Sequence, residues 1–196
     1  MAIRRAHLRL DPESLRTIFR IARTGMVQML VGTTSWVALM RILAPFGSAV
    51  IAGYGIAIRV VLFALLPSWG LGNAAATLVG QNLGARRPDR AEQAVWRAAI
   101  YNLFFLGAIG LVFVLLATPI VRLFNDDPTI LDSGSHALRI VAAGFPLYAY
   151  GMVVTQSFNG AGDTRTPTFI NLLCFWLFEI PLAFLLARSA GMGRAL

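Results

Sequence analysis

Three observations predict an all-α fold, a polytopic membrane helical bundle of about five spanning helices. Hydrophobic residues make up 57% of the chain and charged residues only 13%, where a soluble domain carries about 25% charged residues. The apolar residues fall in runs of about 20 or more, separated by short polar or Gly/Pro-containing segments. That length crosses a hydrocarbon core of about 30 Å. A chain of 196 residues has room for about five or six such crossings with short loops. The mean hydropathy of +0.69 agrees.

All 17 basic residues are arginines, against nine acidic ones. An isoelectric point of about 11.2 raises the question of nucleic acid. The arginines, however, sit in short segments between apolar runs rather than in one patch beside exposed aromatics, so no nucleic-acid partner is expected. The single cysteine, Cys174, leaves no intrachain disulfide or thiolate metal site. His7 and His136 are isolated, and no nucleophile–base arrangement is visible. The expectation is no metal, no cofactor and no enzyme.

Residues 1–23 read as a basic tail followed by an amphipathic interfacial helix. The start, MAIRRAHLRLDPES, has no apolar stretch behind its basic residues and is not read as a signal peptide. Asp11-Pro12-Glu13 is a helix-start signal. Leu15, Ile18, Phe19 and Ala22 then share one face, with Arg16, Arg20 and Arg23 away from it, the pattern of a helix lying at a membrane surface. A solvated linker helix is the alternative.

Thr24–Ala44 is the first span, ended by the turn Pro45-Phe46-Gly47. Ala49–Leu83 is the second. Its 35 residues would reach roughly 50 Å, so it tilts or projects, and Pro67, Gly70 and Gly72 mark the expected bend. Arg59 lies inside it. A charge at that depth costs about 2.5–3.5 kcal/mol, so it should face the bundle interior or snorkel. A third helix is expected over Ala91–Ala117, ended by Pro119. An acidic loop follows at Leu123–Asp132, then a fourth helix over Ser133–Phe158 that contains Pro146. The segment Asn159–Pro167 (NGAGDTRTP) is a turn, because Gly160 and Gly162 stop one helix and Thr166-Pro167 can start the next. It lacks the GxxxxGK[ST] pattern and follows a helix, so it is not read as a phosphate loop. Asp163, Thr164 and Arg165 are expected to fix it by local hydrogen bonds. The fifth helix is Pro167–Ala187, and the sequence then ends through Gly191-Met192-Gly193.

With the N-terminus in the cytoplasm, eleven arginines fall in inside segments and five in outside segments, with Arg59 in the membrane. This bias predicts a multi-pass inner-membrane protein with its N-terminus cytoplasmic.

Polar residues inside the spans are the candidate site. Asn73, Thr77 and Gln81 are four apart and form one stripe. Gly70, Gly72, Gly80 and Gly84 beside them leave room for a helix to approach. Tyr148, Thr155 and Asn159 share a face of the fourth helix, and Gln28 and Ser35 are seven apart on the first. These residues line a substrate cavity or mediate helix packing. Met26, Met29 and Met152 offer an adaptable apolar wall. Glu179 is the one carboxylate well inside a span, a functional candidate that pairs with Arg59 or attracts a cation.

As a set, several motifs cover nearly the whole chain: GYGIAIRV, then Pro67 and GLGNAAATLVGQNLGA, then RAEQA, LFNDDPTI, LRIVAAGFP, NGAGDTRTP and EIPLAFLLA. In this order the sequence resembles the multidrug and toxic compound extrusion (MATE) family, closest to its bacterial branches. The resemblance implies a fold of twelve helices in two six-helix lobes. This chain is similar to helices seven to eleven, so that 24–196 is a partial C-terminal transmembrane lobe and Asp11–Arg23 resembles the connection between lobes. It also implies exchange of amphipathic or cationic small molecules against Na+ or H+ by alternating access. The partners implied are membrane lipid and the missing N-terminal lobe, on the same or a separate chain. Some members use a carboxylate on helix seven for coupling. Thr24–Ser35 has none, and Thr24 stands where the family often has proline. Coupling then lies in the missing lobe or has been lost. Two alternatives stay open: a lipid or oligosaccharide flippase of the same superfamily, whose cavity should be more cationic, with only Arg41 and Arg59 in favour, and a truncated membrane remnant. One lobe leaves no second wall for alternating access, so the isolated chain is expected not to transport.

Overall fold

The computed structural model describes residues 12–189. The basic tail, Asp11, His7 and the terminal Gly191–Gly193 lie outside the described residues. Seven α-helices follow in order: α1 (Pro12–Leu43), α2 (Ser48–Gly84), α3 (Pro88–Arg122), α4 (Pro128–Ala143), α5 (Phe145–Gly160), α6 (Arg165–Asn171) and α7 (Ile180–Ser189). A single 3-10 turn, Ala44–Phe46, joins α1 to α2, and a π-helical segment, Leu172–Glu179, joins α6 to α7. Among the described residues four helical stretches are long and apolar enough to cross a membrane. The bent pair α4–α5 makes a fifth. The polytopic all-helical fold is therefore the one expected.

Prolines and glycines account for most departures from the expected elements. α1 passes through the 23/24 position without a break, so the amphipathic segment and the first span are one rod. Gly47, at φ 101°, reverses the chain after it, a conformation glycine adopts without cost. α2 matches its expected bounds within one residue and continues through Pro67. α3 begins at Pro88, three residues early, and does not end at Pro119. Instead Leu116 takes φ −109° and ψ 21°, and the helix resumes to Arg122. The proline ring crowds the carbonyl four residues before it, which opens the turn and kinks the helix.

The expected fourth helix is two helices, bent by 53°. Pro146 has no N–H to give and disfavours helical geometry at Phe145, so the chain turns at Gly144. The acidic loop is shorter than expected because α4 starts at Pro128. Asp127 caps α4. Its Oδ1 accepts the Thr129 amide at 2.8 Å, the Thr129 hydroxyl at 2.7 Å and the Ile130 amide at 3.3 Å. The Thr129 hydroxyl and these amides hold the Asp127 carboxyl below the usual aspartate range. Its stabilisation is present above that range and is lost as pH falls through the lowered value. Asp127→Ala is accordingly expected to melt below the parent at neutral pH, with the difference shrinking as pH falls below the ordinary aspartate range. A difference independent of pH in thermal melting would rule out the charged cap.

The turn after α5 is fixed by Asp163, with Thr166 in the place expected for Thr164. Asp163 Oδ1 accepts the amides of Arg165 and Thr166, each at 3.1 Å, and Oδ2 accepts the Thr166 hydroxyl at 2.6 Å. Gly162, at φ 85°, supplies the reversal. His136 Nδ1 lies 3.2 Å from an Asp132 carboxylate oxygen, one turn away on α4.

The core lies among α2, α3, α4 and α5. Leu106, Leu138, Val121 and Val153 are fully buried there, and Phe113 meets Phe145 edge-on at 5.9 Å between ring centres. Asn102 is buried in the same core and donates from Nδ2 to the Ala149 carbonyl at 2.9 Å, tying α3 to α5. α1 instead packs along α6 and α7 and touches α2 only slightly. The four-helix core and this outer pair leave a cleft between them. Of the four glycines expected to let a helix approach α2, Gly72 and Gly80 do so, facing Gln156 and Gly160, while Gly70 and Gly84 face open space.

Candidate functional site

A cavity of about 600 Å³ opens between α2, α5 and the α6–π stretch, lined by Trp69 and Asn73, by Tyr148, Met152, Thr155 and Gln156, and by Asn171, Cys174 and Phe175. Helical spacing explains the α2 and α5 walls, since Trp69 and Asn73 are one turn apart, as are Tyr148, Met152 and Gln156. A chain of amides joins the α2 and α5 walls. Asn73 Oδ1 accepts from Gln156 Nε2 at 2.9 Å, and Gln156 Oε1 accepts from Asn159 Nδ2 at 2.8 Å. The Trp69 ring N–H donates to the Tyr148 hydroxyl at 3.4 Å. The Thr77 hydroxyl donates to the Asn73 carbonyl of its own helix at 2.9 Å. Asn159 Oδ1 is buried with no partner, an acceptor whose desolvation is costly until a donor reaches it.

Among the described residues, no charged side chain lines this cavity. What it offers is hydrogen bonding from amides, the π faces of Trp69, Tyr148 and Phe175, and the flexible thioether of Met152.

The structure gathers Asn73, Tyr148 and Thr155 in the cavity wall and joins Asn159 to them through Gln156. Thr77 lies one turn further along α2, and Gln81, exposed near the α2 end, does not line the cavity. Gln28 is half-buried on α1 and also lies off it. Ser35 belongs to a second cluster. It is 2% exposed, and its hydroxyl donates to Glu179 Oε2 at 3.2 Å across the α1–π interface. Glu179 is half-buried at the end of the π segment. Trp176 of the same segment donates to the Val31 carbonyl at 3.3 Å. Arg59 does not pair with Glu179: it is exposed, and no carboxylate lies within ion-pair distance of it among the described residues.

Sequence reasoning missed Trp69, Gln156, Asn171, Cys174 and Phe175. For Gln156 a signal existed, because the steps 148, 152, 156 fit a helical face as well as 148, 155, 159 do. The α6–π residues carried none, since widened turns shift the face that a 3.6-residue period assigns.

The MatE family model matches residues 25–185. A probable multidrug resistance protein NorM of Thermotoga maritima is 25% identical over 184 residues, 92% of this chain and 39% of that protein. The probable multidrug resistance protein YoeA of Bacillus subtilis is 24% identical over 185 residues, 94% of this chain and 40% of that protein. The chain spans about two-fifths of the length of these curated relatives. A crystal structure of MATE in complex with MaL6 superposes with a TM-score of 0.84 at 17% identity, covering 95% of this chain and 42% of that one. A MOP superfamily transporter from Pyrococcus furiosus, whose description reports reversed polarity of its binding pocket, gives 0.75 at 17% identity, covering 89% and 42%. With a family model over about four-fifths of its residues, and helices apolar enough to cross a membrane repeatedly, this chain is a multi-pass membrane protein and belongs to the MatE family.

Proposed function

We propose that the chain is the C-terminal lobe of a secondary active efflux transporter, which exchanges amphipathic or cationic drugs against Na+ or H+ across the inner membrane, with its N-terminus in the cytoplasm. The observation that carries this reading is the cavity lined on its α2–α5 side by the Asn73–Gln156–Asn159 amide chain, with no charged residue among its described lining. It combines hydrogen-bond donors and acceptors with aromatic and thioether surface at the cleft between the two helix layers. The multidrug resistance names of the relatives point the same way. The flippase reading calls for a cationic cavity, and neither Arg41 nor Arg59 lines this one. A first lobe, on the same or a separate chain, supplies the opposing wall for alternating access. Flux of a drug through liposomes holding this chain alone would overturn that requirement.

Cys174 gives a direct test, because the thiol is exposed in the cavity wall. In membranes carrying the whole transporter, an organic cation such as ethidium is expected to slow maleimide labelling of Cys174, read from the mass of its peptide. Gln156→Ala is expected to weaken that protection about 3–10-fold, the worth of one hydrogen bond. Labelling at one rate with and without the drug would count against the cavity as the binding site.

A further inference from the structure

A second groove, of about 630 Å³, runs between α2 and α3 on the opposite side of α2 from the amide cavity. Beside the α2–α3 turn it is lined by Arg90, Gln93 and Arg97, and further along by Leu71, Leu78 and Tyr101. Arg90, Arg97 and Tyr101 fall on one face of α3, with about 10 Å of helix between the two arginines. Asp89 and Glu92 fall off that face, and Glu92 is taken by the Trp96 ring N–H at 3.3 Å. Neither arginine has a carboxylate partner within ion-pair distance among the described residues. The α3 N-terminus at Pro88 adds its positive dipole end at the same place, next to Arg86 and Arg87.

Two unpaired cations thus stand at the mouth of an apolar trough on the bundle surface, at the end of two membrane-crossing helices. A free phosphate would use the arginines and leave the trough empty. A zwitterionic lipid would fill the trough and bring an ammonium group toward the arginines. We propose that this groove binds an anionic phospholipid, its phosphate held by Arg90 and Arg97 and an acyl chain lying along Leu71, Leu78 and Tyr101. Basic pockets between spanning helices are a known form of headgroup site.

Native mass spectrometry of the full chain in neutral detergent tests this, with dioleoylphosphatidylglycerol, dioleoylphosphatidylcholine and glycerol phosphate as probes. Two basic side chains at a membrane surface correspond to a preference of about thirtyfold for the anionic lipid. Arg90→Gln combined with Arg97→Gln is expected to abolish the preference, and Arg122→Gln, at the other end of α3, to leave it. Leu78→Trp keeps both charges and fills the trough. It is expected to reduce retention of phosphatidylglycerol even if the double arginine variant fails to fold. Equal retention of the two lipids by the parent, as a groove sealed by a protein helix would give, overturns the proposal. So does glycerol phosphate binding as tightly as the lipid, or unchanged retention by Leu78→Trp.

Discussion

Gly160→Ala is expected to cost the chain much of its folded yield. A Cβ at Gly160 would meet the backbone of Ala76 on α2, with its Cα at 2.6 Å and its carbonyl carbon at 2.7 Å and the carbonyl oxygen closer still. Backbone atoms within a helix cannot swing aside as a side-chain end can, so α2 and α5 must separate. Overpacking of this kind costs about 1–3 kcal/mol and at times more, against a total stability of about 5–15 kcal/mol for a domain. The crossing also seats Asn159 and Gln156 opposite Asn73, so separation opens the amide chain as well. The comparison is Gly107→Ala on α3, where nothing lies within 4 Å of the added Cβ. Thermal stability of the detergent-solubilised chain, read by size-exclusion chromatography after heating, should fall for Gly160→Ala and hold for Gly107→Ala. Equal midpoints for parent and Gly160→Ala would show that the helices do not cross at this contact.

In the proposed efflux transporter, Glu179→Gln is expected to abolish drug resistance at unchanged protein level. A carboxylate within a span is expensive to keep. This one is half-buried and hydrogen-bonded to the buried Ser35 hydroxyl at 3.2 Å, with Arg59 too exposed and unpaired to neutralise it. The amide keeps the shape and can still accept from Ser35, but it carries neither charge nor exchangeable acid. Ser35→Ala removes one hydrogen bond, worth about 1 kcal/mol, and should weaken resistance only a few-fold. Normal resistance in Glu179→Gln, with the protein present in the membrane, would make the carboxylate structural.

The number of crossings, the all-helical class and the bounds of α2 follow from local properties, namely length, hydropathy and the positions of Gly and Pro. Those are readable along one strand of sequence, as is the Asn73 stripe, because helical period is local. Asp163 as the fixing residue of its turn was readable for the same reason, and only its partner, Thr166 in place of Thr164, needed coordinates. Proline was the ambiguous sign. At Pro67 the helix continues, at Pro119 it kinks and at Pro146 it breaks by 53°. The residue is identical in each case, so its presence alone does not tell a continuing helix from a kink or a break.

The identity of contacts between helices was decided by the tertiary structure alone. Gln156 reaches Asn73 across 83 residues of sequence, and Ser35 reaches Glu179 across 144. Composition and period place each of these on a helix face, but the rotation of one helix against another is set by which small residues meet. Here those are Gly53 with Gly134 and Gly80 with Gly160. The sequence by itself determined that this chain crosses a membrane and carries polar groups inside it. The glycine crossings and the widened turns before Glu179 decided which of those groups share a cavity, because close backbone approach and local helix pitch fix the rotation that no single-helix pattern records.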